Sequence, residues 1–326
     1  MENTFIDIMR QALDEEMTRD ASVYLIGEDV AAGGAFGVSR GLVDKHGALR
    51  VRNTPISEAA ITGLATGAAL CGLRPVLEIM FIDFATLAMD CLVNQAAKYR
   101  YMSGGQLSVP MVVRTQAGAA GGAAAQHSQS LESWFIHVPG LVVVAPSSPV
   151  EAYGLFKSAL RLDDPVLFIE HKRLYAMKES LPADAAPIPL GRARVAREGT
   201  DVTVIAYSAM VRTALEAAQQ LAGEGISVEV IDLRTLLPLD TQTLVRSATK
   251  TRRVVIAHEA VECGGVGAEV AARLGAAVFD ELDAPILRVG CPFAPIPFAP
   301  ELEQALLPGR EQIVRAVREL VDGGRI

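Results

Sequence analysis

The sequence predicts an α/β protein in two parts: a parallel-sheet domain over residues 1–180, a connection over 181–199, and a smaller open α/β domain over 200–326. Three observations carry this. Short apolar runs that suit buried strands (Val109–Arg114, Leu141–Ala145, Val166–Glu170, Val202–Tyr207) alternate with helix-length amphipathic segments. Between two of those runs, Ser148 fits an N-cap, Pro149 the first helical position and Glu151 a capping box. The helix they open should reach about Leu162, where Asp163, Asp164 and Pro165 stop it, so Leu141–Glu170 reads as a right-handed βαβ unit. Finally, the pattern dissolves between Lys178 and Gly199 around Pro182, Pro187 and Pro189, as expected of a connection between domains.

In chain order, Thr4–Arg19 has helical periodicity and Val23–Gly27 is a short strand ending in the acidic pair Glu28 and Asp29. The glycine-rich stretch Val30–Gly41 reads as an adaptable loop near a site or interface, or as an ordinary surface connection. It lacks the spacing and the following helix of a dinucleotide-binding loop. Thr54–Phe84 organises the chain: Ser57 is placed to cap a helix of small residues from Glu58 to Leu70, Gly72 ends it, and a buried strand follows. Ala85–Tyr101 reads as a second long helix, broken at Ser103–Gly105. Gly118–Ala125 is a run of glycine and alanine followed at once by Gln126, His127, Ser128, Gln129 and Ser130. Beyond the connection, strands at Val202–Tyr207, Ser227–Asp232, Arg253–His258 and Ile286–Val289 alternate with helices at Val211–Gly223 and after Gly267, and a last helix spans about Pro308–Asp322.

With 326 residues, 50% hydrophobic and 21% charged, the chain has enough apolar content for two cores. Its apolar runs are far shorter than the roughly 20 residues a bilayer requires. No signal-peptide pattern precedes Phe5, so a cytoplasmic protein with no membrane partner is expected. A net charge of −8 without a Lys/Arg cluster argues against nucleic acid. Cys71, Cys91, Cys263 and Cys291 lack metal-site spacing and read as reduced core residues.

Two residues stand out chemically. Glu58, at the mouth of its small-residue helix, fits either a first-turn acid stabilised by the helix dipole or a carboxylate kept in low dielectric to share a proton with a bound heterocycle. His127 is either a structural histidine or one whose bulk-free flanks let a ligand or partner approach closely.

Ordered segments along almost the whole chain decide between these roles: TPISE (Thr54–Glu58), GLRPVLEIMFIDF (Gly72–Phe84), NQAAKYRYMSGG (Asn94–Gly105), AAQHSQS (Ala124–Ser130), HVPGLVVVAPSSPVEAYGL (His137–Leu155) and DDPVLFIEHKRLY (Asp163–Tyr175). Together they resemble the beta subunit of the thiamine-diphosphate-dependent decarboxylating component of 2-oxo acid dehydrogenase complexes, most nearly its pyruvate and acetoin branches. The resemblance implies a pyrimidine-binding domain followed by a transketolase C-terminal-type domain. It implies that Glu58 hydrogen-bonds the cofactor's aminopyrimidine, with Ile56, Met80 and Phe84 around that ring, and that His127 faces the substrate during acyl transfer to a lipoyl group. It further implies a potassium ion held by main-chain oxygens near Met111, Ala159, Leu160, Leu162 and Asp164.

The chain has no GDG segment followed some thirty residues later by an asparagine pair, the pattern with which this cofactor class binds magnesium and diphosphate. The resemblance therefore implies an alpha subunit that supplies that half, in an alpha2-beta2 assembly serving a lipoyl acyltransferase core. Two other functions fit the same residues: a two-component transketolase-like transferase without a lipoyl acceptor, and a scaffold subunit without chemistry. The Gly/Ala run at Gly118–Ala125 and the Gly290–Pro297 segment both depart from the family's usual residues.

Overall fold

The structure, a computed structural model, describes residues 2–323. It divides into two compact units, one of the residues up to Ala117 with Trp134–Leu190, the other of Gly118–Ser133 with the residues from Gly191 onward. The expected connection thus ends in ordered structure, because Arg194–Arg197 forms an edge strand of the second unit. Less visible from sequence is that Gly118–Ser133 leaves the first unit for the second.

In the first unit, strands β1 (Val23–Gly27), β2 (Val51–Asn53), β3 (Arg74–Ile79), β4 (Val112–Ala117), β5 (Val142–Val144) and β6 (Val166–His171) lie in the order β5-β6-β4-β3-β1-β2. Every neighbouring pair among them is parallel. A parallel sheet needs crossover helices, and its strands are buried on both faces. Accordingly β1, β4 and β6 are buried at every residue. Helix α1 (Phe5–Arg19) opens on a capping box between Thr4 and Asp7. It packs on α3 (Pro149–Leu160) through Phe5, Ile8, Met9 and Leu13, and its acids Glu15 and Glu16 bind Lys157 (2.7 Å) and Arg161 (2.5 Å) on that helix.

Helix α2 (Glu58–Leu70) turns Ile61, Thr62, Ala65, Thr66 and Ala69 inward, and Gly72 leaves it at φ +91°, a backbone that suits glycine. Ala59, Ala60, Gly63, Leu64 and Gly67 form its exposed face. The expected long helix at Ala85–Tyr101 is instead four short pieces, with a π-helical Asp90–Ala96 at its centre. Its buried residues are Ala85, Ala88, Leu92, Ala96 and Ala97.

The second unit has strands β7 (Arg194–Arg197), β8 (Val202–Ala206), β9 (Val228–Asp232), β10 (Val254–Val261) and β11 (Leu287–Cys291) in the order β11-β10-β8-β9-β7. All pairs are parallel except the antiparallel β7 edge. Helices α4 (Ala209–Ala222) and α5 (Arg310–Val321) bury Met210, Ala214, Leu221, Val314 and Val317 against it. No disulfide joins the four cysteines, but Cys71 and Cys263 are exposed rather than in the core, because they sit at a helix end and in a turn. Among the described residues no helix is long and apolar enough to cross a membrane.

Candidate active site

The carboxyl ends of three adjacent strands, β3, β1 and β2, place the first group of candidate residues. Ligands of open parallel sheets gather at that edge because the helices that start there aim backbone N–H groups and a positive dipole end at it. Glu28 follows β1, Glu58 opens α2 after β2, and Met80 follows β3. Glu58 is only 6% exposed. Its backbone carbonyl accepts the Thr62 hydroxyl (2.7 Å), and Thr66 repeats the bond to Thr62 (2.8 Å), so the first turns of α2 are tied from within by their threonines.

Ser57 occupies the N-cap position, yet its side chain caps nothing: the hydroxyl donates to the Pro55 carbonyl (3.2 Å). Glu28 is a member of the site that the sequence did not single out. Burial pushes its acid up, the charge of Glu58 adds to the push, and a hydrogen bond from the Ser57 backbone opposes it. One of its oxygens, Oε1, is buried without a hydrogen-bond partner. A carboxyl whose acid is raised by burial and that keeps one unsatisfied oxygen can hold a proton and pass it to a basic nitrogen. What hid Glu28 is that only the β1–β2 register brings residues 28 and 58 together.

The other residues named for the cofactor are apolar. Ile56 is 81% exposed beside the entry to α2, and Met80 and Phe84 are half-buried. Phe81 meets Phe84 edge-on (5.8 Å between centroids) and Phe36 likewise (5.9 Å), while Lys172 stands over its ring at 5.1 Å. Phe36 belongs to the glycine-rich loop, which thereby packs on the aromatic residues that follow β3 and β6. The loop's glycines have a reason at Gly34: at φ +67° it lies so close to Glu78 that a Cβ would collide with the carboxylate.

Glu78 in turn belongs to a buried ionic group behind the site. Arg114 donates Nη1 to Glu78 (2.6 Å) and clasps Glu170 with Nε and Nη2 (2.6 and 2.9 Å), and the Tyr175 hydroxyl also donates to Glu170 (2.7 Å). Burial pushes the Glu78 acid up although Arg114 holds it down, since one guanidinium serves two carboxylates.

His127 is placed by the second unit. Its segment closes on itself where Gly118 N–H donates to the Gln129 carbonyl (3.1 Å), and His127 N–H donates to Ala124 (3.3 Å), a residue at φ +59°. The structure thus gives Glu58, Ile56, Met80 and Phe84 to one unit and His127 to the other.

Several of the main-chain positions named for potassium accept hydrogen bonds within the chain. Arg74 Nη1 donates to the carbonyls of Leu160 (3.1 Å) and Leu162 (2.9 Å), and Nη2 to Asp163 (2.5 Å). Met111 O accepts from Val166 N–H (2.8 Å) and Ala159 O from Leu162 N–H (3.3 Å), each leaving a second lone pair on its carbonyl.

Known proteins share this architecture and sequence. The family model for the transketolase pyrimidine binding domain matches residues 2–178, and that for the transketolase C-terminal domain matches residues 191–313. The beta subunit of an acetoin:2,6-dichlorophenolindophenol oxidoreductase from Cupriavidus necator is 45% identical over 97% of both chains. A pyruvate dehydrogenase E1 component subunit beta from Rickettsia felis is 46% identical over 98% of both. Among solved structures, a split gene transketolase described as an inactive beta4 tetramer matches with a TM-score of 0.79, covering 98% of this chain and 99% of that one. At 24% identity that match speaks for the fold alone.

Proposed function

Since the chain belongs to the family of beta subunits of the thiamine-diphosphate-dependent pyruvate and acetoin dehydrogenases, we propose that it is one half of a two-chain active site that cleaves a 2-oxo acid or acetoin and transfers the acyl group to a lipoyl domain. Thiamine diphosphate, when bound, supplies a carbanion nucleophile for the substrate carbonyl and an electron sink after cleavage. The residues present fit its aminopyrimidine. Glu58 offers a nearly buried carboxyl at a parallel-sheet carboxyl edge, Glu28 leaves an unsatisfied oxygen beside it, and Ile56, Met80 and Phe84 provide apolar surface.

In this reading Glu58 holds a proton at the ring nitrogen it hydrogen-bonds, which favours the imino form of the aminopyrimidine. Glu28, whose acid is raised by burial, places a second carboxyl that can hold a proton beside Glu58. Met80 and Phe84 exclude water and fix the ring plane. His127 offers an imidazole that stabilises charge developing during acyl transfer. The chain carries no diphosphate and magnesium segment, and we assign that half to an alpha subunit in an alpha2-beta2 assembly of the cytoplasm. The exposed face of α2, with Leu64 and Ile56 uncovered, supports a subunit contact there. A potassium ion at the main-chain oxygens near Met111, Ala159, Leu160, Leu162 and Asp164 belongs to the same reading, with Arg74 sharing the Leu160 and Leu162 carbonyls.

The observation that carries this reading is the burial of Glu58 next to Glu28. The test is co-expression with the alpha partner and dye-reduction assays with pyruvate, acetoin and branched 2-oxo acids. Glu58→Ala is expected to lower kcat by roughly a thousandfold, within the range for general acid–base groups. Retained activity would sink the assigned role, and carbon–carbon bond formation without dye reduction would favour a transketolase-like transferase.

A further inference from the structure

The segment carrying His127 opens on a stretch without polar side chains. From Gly118 to Ala125 it is glycine and alanine throughout, and Gly121, Gly122 and Ala124 take the left-handed region, at φ +75°, +78° and +59°. A glycine backbone of this kind has many accessible conformations, so holding one requires bonds from outside it.

Two carboxylates of the same unit provide them. Glu303, at 7% exposure in the helix Pro300–Leu306, accepts Gly121 N–H on Oε1 and Gly122 N–H on Oε2, both at 3.0 Å. Glu259, 6% exposed on β10, accepts Ala119 N–H at 2.6 Å. Ala119 is fully buried in a small apolar cluster with Cys291 and Leu307, next to Val261 and Ile296. The fit is close, since a Cβ on Gly122 would stand 3.0 Å from the Phe298 carbonyl. Three backbone amides of the loop, those of Ala119, Gly121 and Gly122, are therefore gripped a few residues before His127.

We propose that Glu303, supported by Glu259, is a positioning residue for His127: its two oxygens clasp the Gly121 and Gly122 amides and fix the loop that aims the imidazole during acyl transfer. This rests on the role given to His127 above. A glutamate suits the task because each carboxylate oxygen takes one N–H, whereas an amide has a single acceptor oxygen and would turn its NH2 towards the second donor. Carboxylate-to-amide bonds are also charge-assisted, which strengthens a hold made on backbone alone.

The test uses the full chain reconstituted with its alpha partner, comparing Glu303→Ala, Glu303→Gln, His127→Ala and the double variant His127→Ala/Glu303→Ala. Two rates are measured, acylation of a lipoyl domain and reduction of a dye that bypasses the lipoyl acceptor. Glu303→Ala is expected to lower kcat for lipoyl acylation at least tenfold, with KM for the 2-oxo acid and dye reduction changed less than twofold. Glu303→Gln should fall between, and Glu303→Ala should cost nothing more when His127 is already alanine. Equal losses in both assays, or a full further loss in the double variant, would overturn the proposal. Amide hydrogen exchange separates the clasp from the histidine's role: Gly121 and Gly122 should exchange at least tenfold faster in Glu303→Ala, with β8 and β10 unchanged. Faster exchange with an inert His127→Ala would remove the histidine reading and leave the clasp; unchanged exchange would remove the clasp.

Discussion

Glu58 and His127 are carried by the molecule in opposite ways. Glu58 begins a regular helix that springs from a parallel sheet, and the buried charges behind it are compensated: Arg114 answers both Glu78 and Glu170. His127 rides on an irregular Gly/Ala segment held by single carboxylates, and at the segment's foot Glu132 is buried with no basic group among the causes that set its acidity. Compensation buys a rigid platform in the first case. In the second, the hold depends on a few hydrogen bonds and on the charge state of neighbouring acids, which makes it the more easily disturbed of the two.

The largest effect expected from breaking this contrast is at Arg114. Arg114→Met keeps most of the side-chain volume but leaves Glu78 and Glu170 facing each other in the core without a cation. Removing one partner of a buried ionic group costs roughly 3–5 kcal/mol. Unfolding in urea, followed by the fluorescence of the single tryptophan, Trp134, which belongs to the same unit, should show a loss of that size. A variant as stable as the parent would mean that the platform does not depend on charge compensation.

Next in size is Glu132, where the uncompensated acid can be relieved. Burial raises its pKa from 4.5 to about 7, and the charge of Glu259 adds to that, against the pull of its own backbone N–H. The folded state therefore keeps a proton that the unfolded chain gives up above pH 4.5 or so. Stability from this group is full at low pH, declines as pH rises through about 7, and is constant beyond. The decline amounts to roughly 3 kcal/mol at about 1.4 kcal/mol per unit. Glu132→Gln should match the parent in urea unfolding near pH 4, below the unfolded value of 4.5, and exceed it by up to that amount at pH 8. An equal difference at both pH values would show that the acid is not held neutral.

The same contrast explains which parts of the site can be read from sequence. Helix α2, its end at Gly72, the Ser148–Pro149 start of α3 and the βαβ unit all follow from signals within a few residues, and the sheet that places Glu58 follows from them. The TPISE and AAQHSQS segments mark Glu58 and His127 as special. What escapes is long-range. Glu259 and Glu303 lie 140 and 182 residues along the chain from the amides they hold, and no local pattern marks either as a partner of the Gly/Ala run. Glu28 escapes for the same reason, since strand register brings it to Glu58. The broken helix at Ala85–Tyr101 escapes because its buried residues are spaced as in an ordinary helix.

The smallest expected effect separates a residue that looks like a cap from one that acts as a cap. Ser57 and Ser148 both precede helices as good N-caps should. Ser148 accepts the Glu151 N–H (3.4 Å) and donates to Glu179 (3.0 Å), a carboxylate that also takes the Val150 N–H (2.9 Å), so the N-terminus of α3 is served by side chains. Ser57 instead bonds back to Pro55, and α2 starts without a side-chain cap. Losing a working cap costs about 1 kcal/mol. Ser148→Ala should lose that much in urea unfolding, while Ser57→Ala should stay within about 0.5 kcal/mol of the parent, as for a side chain whose bonds water can replace. A loss at Ser57 equal to that at Ser148 would show that the entry to α2 is held by its serine after all, and that Glu58 owes its place to the cap as much as to the sheet edge and the threonines behind it.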